Sequence, residues 1–290
     1  MTATDSMTSA TPSTRFPRIS RAKKNVIVGW NRVGEQMRFY FTTLGAIPDV
    51  LMNYRSELLR LIAQMGMGTG ALATIGGTIV IIGFMTTMTG AIVATQGYNE
   101  FQSVAIEALT GFASAFFIPR LIIPGTAQVT LTATIGAGAT AQMGAMRINE
   151  EIDALEVIGI RSVSYLAAAR VLAGTIVTVP LYAAALMAGF AAARFGTTTV
   201  YGQPPGVYDH YFNTFLNPID LAWSFVETIT EIIVVMLVCT YYGFTASGGP
   251  AGVGEAVGRA VRASMVVGAV VLMAVTLAIY GNNANFHLAS

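Results

Sequence analysis

Along the chain, long stretches without charge alternate with short islands where charges crowd. Residues 70–95 contain no Asp, Glu, Lys or Arg. A helix needs roughly 20 residues to cross a hydrocarbon core of about 30 Å, so this run predicts a transmembrane span. Residues 162–193, 219–244 and 261–281 predict three more. Trp223 stands near the start of the second of these three, where an interfacial aromatic belongs. Residues 101–146 are harder to read. At about 1.5 Å per residue they are far too long for one crossing, and Pro119, Arg120 and Pro124 interrupt the middle. The stretch is either two spans or one span preceded by a surface or re-entrant piece.

Basic residues decide the count. Nine of the 16 Lys and Arg precede residue 61, which places the N-terminus on the cytoplasmic side. With one span in 101–146, the loops carrying Arg147 and Arg161, and then Arg259 and Arg262, fall on that side too. The loops left outside, around 96–103 and 196–218, and the tail after Tyr280 carry no Lys or Arg. Two spans would move the later basic loops outside. The expectation is therefore five spans, a cytoplasmic N-terminus and an outer C-terminus.

The charged island from Gly144 to Ile160 separates the second and third spans. It crowds Arg147, Glu150, Glu151, Asp153 and Glu156 together, while Met146, Ile148, Ile152, Leu155 and Ile158 recur mostly at three- and four-residue steps. That spacing predicts a short amphipathic helix over 147–158. It is too short to cross a bilayer, but it can lie at the surface and present carboxylates to a soluble partner.

Ahead of the spans, residues 26–62 mix Arg32, Glu35, Arg38, Arg55, Glu57 and Arg60 with Trp30, Phe39, Tyr40, Phe41, Leu58, Leu59 and Leu61. This is an interfacial amphipathic pattern, divided into two helices at Pro48. A small cytoplasmic helical hairpin is the alternative. Residues 1–25, rich in Ser and Thr and then basic, read as a disordered cytoplasmic tail without the apolar core of a cleavable signal.

Composition agrees with a membrane protein: 54% hydrophobic, 11% charged, mean hydropathy +0.62. A soluble domain carries about a quarter charged residues. The near-neutral balance, 16 basic against 15 acidic residues, argues against nucleic acid as a partner. The single Cys239 excludes a disulfide framework, and only two histidines, His210 and His287, leave no basis for a metal or catalytic cluster. No GxSxG element occurs. The only lysines are Lys23 and Lys24, so no GxxxxGK[ST] phosphate loop exists and the chain binds no ATP in that manner. Tyr208, Asp209, His210 and Tyr211 fall in an outer stretch read as a solvated, partner-binding loop. The dense small residues of 136–144, 76–77 and 248–252 fit close helix packing in lipid.

Glu227 and Glu231 lie one turn apart within the fourth predicted span. Each costs roughly 2.5–3.5 kcal/mol at a helix centre, so both should face protein or a wet cavity. Arg120 and Arg170 are candidate partners. A structural ion pair, a place in the substrate pathway together with Arg120, and a proton relay remain open readings. Arg194, at the end of the third span, reads as an interface anchor.

Several separated phrases resemble the MlaE/YrbE permease family: Ala137–Gly144, Met146-Arg147, Glu150-Glu151, Asp153–Ile158, Arg170–Gly174 and Pro180-Leu181. Leu61–Gly70, Tyr201–Gln203, His210–Phe212 and Gly249–Gly258 are similar to the B-type YrbE subunits of actinobacterial Mce systems. The likeness extends over residues 55–281. It implies an all-α membrane permease with an N-terminal interfacial helix, five spans over 63–290 and a cytoplasmic coupling helix at 147–158. It also implies a multi-pass place in the cell (inner) membrane.

The expected partners are a sister A-type permease, two copies of a soluble ABC ATPase carrying ATP and Mg, a hexamer of MCE proteins on the outer face, and membrane lipids. The chain itself would bind no cofactor and catalyse nothing. The implied cargo is hydrophobic: fatty acids, mycolic-type lipids or sterols. Arg147, Glu150, Glu151, Ile152, Asp153, Leu155 and Glu156 would then form the ATPase-coupling site. The Gram-negative members carry an Arg-Glu pair near the start of the second span, whereas here Arg120 is followed by Leu121. Two other classes compete: a proton-coupled secondary transporter using Glu227 and Glu231, and a non-transporting membrane scaffold.

Overall fold

The computed structural model describes residues 17–67 and 77–280, and among these every regular element is a helix. The chain divides into two units at Phe41–Thr42. Helix α1 (Pro17–Gly45) makes up most of the first. On it Trp30, Val33, Met37 and Phe41 are exposed at three- and four-residue spacing, a continuous apolar stripe beside Glu35 and Arg38. The helix already runs through residues 17–25, the second part of the segment expected as a tail. Residues 1–16 lie outside the described residues, as do 68–76, where the first predicted span would begin.

The second unit opens with α2 (Ile47–Asn53) and α3 (Arg55–Met67). The 26–62 region is thus three helices rather than two. Pro48 sits in the first turn of α2, where a missing N–H costs nothing, and the breaks fall beside it at Ala46 and at Tyr54.

Among the described residues five helices are long and apolar enough to cross a membrane: α4 (Gly77–Ser103), α5 (Glu107–Ile148), α7 (Val163–Val200), α9 (Pro218–Phe244) and α10 (Gly249–Tyr280). Two short helices join them, α6 (Glu151–Val157) between α5 and α7, and α8 (Pro205–Phe215) between α7 and α9. Large apolar side chains such as Phe84, Met88, Met187, Val270, Met273 and Leu277 stand exposed along the spans. Water would penalise such a surface and lipid does not.

The stretch left open in sequence is one helix of 42 residues. Pro119 and Pro124 do not end it. A π-helical turn at Ile118–Ile122 takes up the lost hydrogen bonds, and a second one occupies Thr132–Gly136. At about 1.5 Å per residue the helix is about 63 Å long, so part of it projects beyond any hydrocarbon core. Its first turns, Thr110–Phe117, pack on α8. Phe112 meets Phe215 edge-on at 4.8 Å between centroids, and Gly111 lies directly under the Tyr208 carbonyl.

Helix α7 is the centre of the bundle and packs on α3, α4 and α9. The approach of α4 to α7 is close because Gly90 faces Gly189. A Cβ on Gly90 would collide with the Gly189 carbonyl oxygen. Helix α9 in turn packs on α5, α7 and α10.

Candidate functional site: an acidic elbow and a polar strip inside the bundle

Two acidic regions carry the candidate chemistry. The first is the elbow between α5 and α7. Helix α5 ends at Ile148, Asn149 and Glu150 break it, and Glu150 adopts a left-handed φ of 60°. That conformation costs roughly 1–2 kcal/mol for a residue bearing a Cβ. Helix α6 follows with Glu151 and Asp153 in its first turn, where the helix dipole favours negative charge. It ends in a Schellman cap. Gly159, at φ 82°, donates to the Glu156 carbonyl at 3.0 Å, and Ile160 donates to the Leu155 carbonyl at 3.0 Å. The helix expected over 147–158 is therefore two pieces, with Arg147 and Ile148 on the end of the span and only 151–157 forming the surface helix.

Burial sorts the elbow residues. Ile152 is fully buried and Leu155 half-buried, so these two anchor α6 to the body. Glu150, Glu151, Asp153 and Glu156 are exposed. Ile158, which shares the apolar spacing of Ile152 and Leu155, is 71% exposed, and Val157 is 87% exposed. The elbow is braced from within by Arg147 on Asp153 at 2.5 Å and by the Ser162 hydroxyl donating to Glu156 at 2.5 Å. The Asn149 amide reaches Glu151 at 3.3 Å. Beside it, Asp49 of α2 accepts from Asn53 at 2.6 Å and lies 3.8 Å from Arg161. The Asn53 amide, then the Ser164 hydroxyl, hold the Asp49 carboxyl below its ordinary range. Glu150, Glu151, Val157 and Ile158 are thus the exposed acidic and apolar side chains of an elbow anchored by Ile152.

The second region lies within the spans. Glu227 and Glu231 are 0% and 1% exposed. Glu227 accepts from the Thr276 hydroxyl of α10 at 2.5 Å, whereas both oxygens of Glu231 are without a hydrogen-bond partner. Neither arginine suggested as a partner reaches them. Arg120, on the π-turn of α5, binds Asp220 at 2.6 Å and lies 4.0 Å over the Phe116 ring. Arg170, 2% exposed, donates to the Leu166 carbonyl at 3.1 Å and points at the Met146 sulfur. Asp220 was missed as Arg120's partner because it lies a hundred residues further along the chain.

At the other end of the bundle, the stretch read as a solvated loop is helix α8. Tyr208 is buried and stacks on Phe212, and Asp209 takes Arg194 in a bidentate pair at 2.8 and 2.9 Å. The Arg194 guanidinium holds the Asp209 carboxyl below its usual range. Burial pushes the Tyr208 phenol up to about 12. Pro205 at the first helical position and Tyr208, Phe212 and Phe215 at helical spacing are the signals that mark this helix in the sequence. Among the described residues no group of three or more His, Cys, Asp or Glu could hold a metal ion.

Five apolar spans with an exposed elbow between the second and third, among described residues whose every regular element is a helix, define an all-α, multi-pass membrane protein. A family model described as Permease MlaE matches residues 67–278, and the chain belongs to the MlaE permease family. It is similar to a "Probable ABC transporter permease protein" of Rickettsia bellii, 26% identical over 196 residues that cover 64% of this chain and 72% of that protein. A protein of the same description from Rickettsia felis is 24% identical over 247 residues, 82% of this chain and 92% of its own length. "Protein TRIGALACTOSYLDIACYLGLYCEROL 1, chloroplastic" of Arabidopsis thaliana is 24% identical over 181 residues, 62% of this chain and 52% of that protein. By family the chain is thus a membrane permease.

Proposed function

We propose that this chain is the membrane-spanning subunit of a lipid-moving ABC transporter of the Mce type, working as a B-type permease beside a sister A-type chain. Hydrolysis belongs to a separate soluble ATPase that carries ATP and Mg. The elbow is its docking point. The observation that carries this reading is the exposure of Val157 and Ile158 beside Glu150 and Glu151, on a helix whose Ile152 is fully buried. Exposed apolar knobs on a helix that also bears exposed acids suit a groove with an apolar floor and basic walls. The buried anchor would transmit a push on α6 to α5 and α7.

The elbow then faces the cytoplasm, and the opposite end, with α8, faces outward towards a hexamer of MCE proteins. The exposed stripe of α1 would lie in the membrane interface. The apolar faces of the spans would enclose, together with the sister chain, a path for fatty acids, mycolic-type lipids or sterols.

Replacing Glu151 and Asp153 together by Lys tests the assignment. The protein should still insert and accumulate, while ATPase co-purification and lipid uptake both fall to background. Retention of both in that variant refutes the docking role.

A further inference from the structure

Helices α5, α9 and α10 enclose a strip of polar atoms that the docking model leaves unused. Helices α5 and α9 run side by side in the same direction. The Thr140 hydroxyl donates to the Cys239 carbonyl at 3.0 Å, and a Cβ on Gly136 would stand 2.8 Å from Cys239 Sγ and 3.5 Å from Val235. One turn back along both helices, this register sets Thr132 at the level of Glu231. Thr132 opens the π-helical turn 132–136, which packs on both α9 and α10. Helix α10 runs the other way. Cys239 meets Ser264 at 3.3 Å and Glu227 meets Thr276 at 2.5 Å, so Glu231 falls between these two rungs.

At that level polar atoms are left unsatisfied. Thr132 is 0% exposed and its hydroxyl has no partner, and neither has Glu227 Oε2 nor either oxygen of Glu231. The nearby amide of Gln128 is spent on the Met265 carbonyl at 3.1 Å. Among the described residues the pair's one hydrogen bond is from Thr276, so no cation of the packed elements, Arg262 of α10 included, is bonded to it: Arg120 is held by Asp220, Arg147 by Asp153, Arg194 by Asp209 and Arg259 by Glu255, and Arg170 lies on the Leu166 carbonyl. The Tyr182 hydroxyl of α7 donates to the Leu221 carbonyl at 3.1 Å. Two ionised carboxylates without a counter-charge would face a desolvation penalty of several kcal/mol per ion. Something positive must enter.

We propose that Glu231, with Glu227 beside it, forms an intramembrane proton-binding site at the junction of α5, α9 and α10. A proton fits these atoms better than a metal ion does. It needs one carboxylate oxygen to bind and one acceptor to point at, and it turns an acceptor-only side chain into a donor. A sodium or calcium ion would need about six or more oxygens converging on one point. With a proton on Glu231, one of its oxygens becomes a donor, and the unsatisfied Glu227 Oε2 one turn away is the acceptor it faces. The site then ties α9 to its neighbours in lipid without a net charge in excess of one. This inference stands independently of which cargo the transporter moves and of how the elbow docks.

Infrared spectroscopy of the purified full-length chain in lipid nanodiscs at neutral pH tests it, because a protonated carboxyl absorbs apart from a carboxylate and shifts in heavy water. The wild type should show such a band. Glu231→Gln, close in shape and checked to elute as the wild type does, should lose it, and Glu227→Gln should keep it. A wild type without the band overturns the proposal, as does a Glu231→Gln variant that retains the full band. So does a band that appears only when sodium is replaced by choline, which would assign the site to a metal ion.

Discussion

The elbow and the strip are built from the same side chains and behave as opposites. At the elbow four acids stand in water, and the braces among them are surface contacts of small worth. In the strip two acids are sealed in protein, and a single hydroxyl decides whether an oxygen is satisfied. A glutamate facing solvent is a handle for a partner. A glutamate sealed among spans is a demand on its neighbours. Position relative to the bilayer, not residue type, separates the two roles.

This contrast can be pressed with substitutions. The largest effect is expected at the hinge of the elbow itself. Ile152→Ala should cost about 2–5 kcal/mol through its cavity, read as faster proteolysis at 149–161. Val157→Ala, exposed and a few residues away, should leave proteolysis unchanged. Thr276→Val should come next, since it strips Glu227 of its donor inside the bundle, at about 1–3 kcal/mol in denaturant unfolding. Asn149→Ala, which removes a comparable hydrogen bond in water, should not register in the same experiment. Gly159→Ala should cost about 1 kcal/mol by forcing a Cβ into the left-handed cap, and hydrogen exchange at Ile160 would report it.

The smallest effect concerns the exposed pair at the far end. Asp209 titrates below its unfolded value because Arg194 holds it. Its contribution is therefore present above the ordinary aspartate range and lost as pH falls through the folded value. Melting curves of Asp209→Asn and wild type should differ slightly near neutrality and merge in acid.

The spans were legible because their signal is additive: twenty apolar residues in a row leave few alternatives. The count of five followed from where the Lys and Arg stand, and five such helices are present among the described residues. What failed were local punctuation marks. Pro119 and Pro124 look like helix breakers, yet the chain widens into a π-turn and continues. Asn149 and Glu150, which look helical, make the actual break. The stretch holding Tyr208 was read from its Pro and Gly as a loop, although its aromatics repeat at helical spacing. Pairings were least legible of all. Nothing near Arg120 announces Asp220, and nothing in the spacing of Glu227 and Glu231 announces Thr276, because such partners are set by helix register in three dimensions.

The unbroken second span has a mechanical consequence. It reaches from the elbow to the collar under α8 as a single shaft about 63 Å long. Each degree by which one end leans carries the other sideways by about 1 Å, with no relay of side chains needed between. The two wide turns along the shaft are its compliant joints, so the place where a lean becomes a bend is already written into residues 118–122 and 132–136.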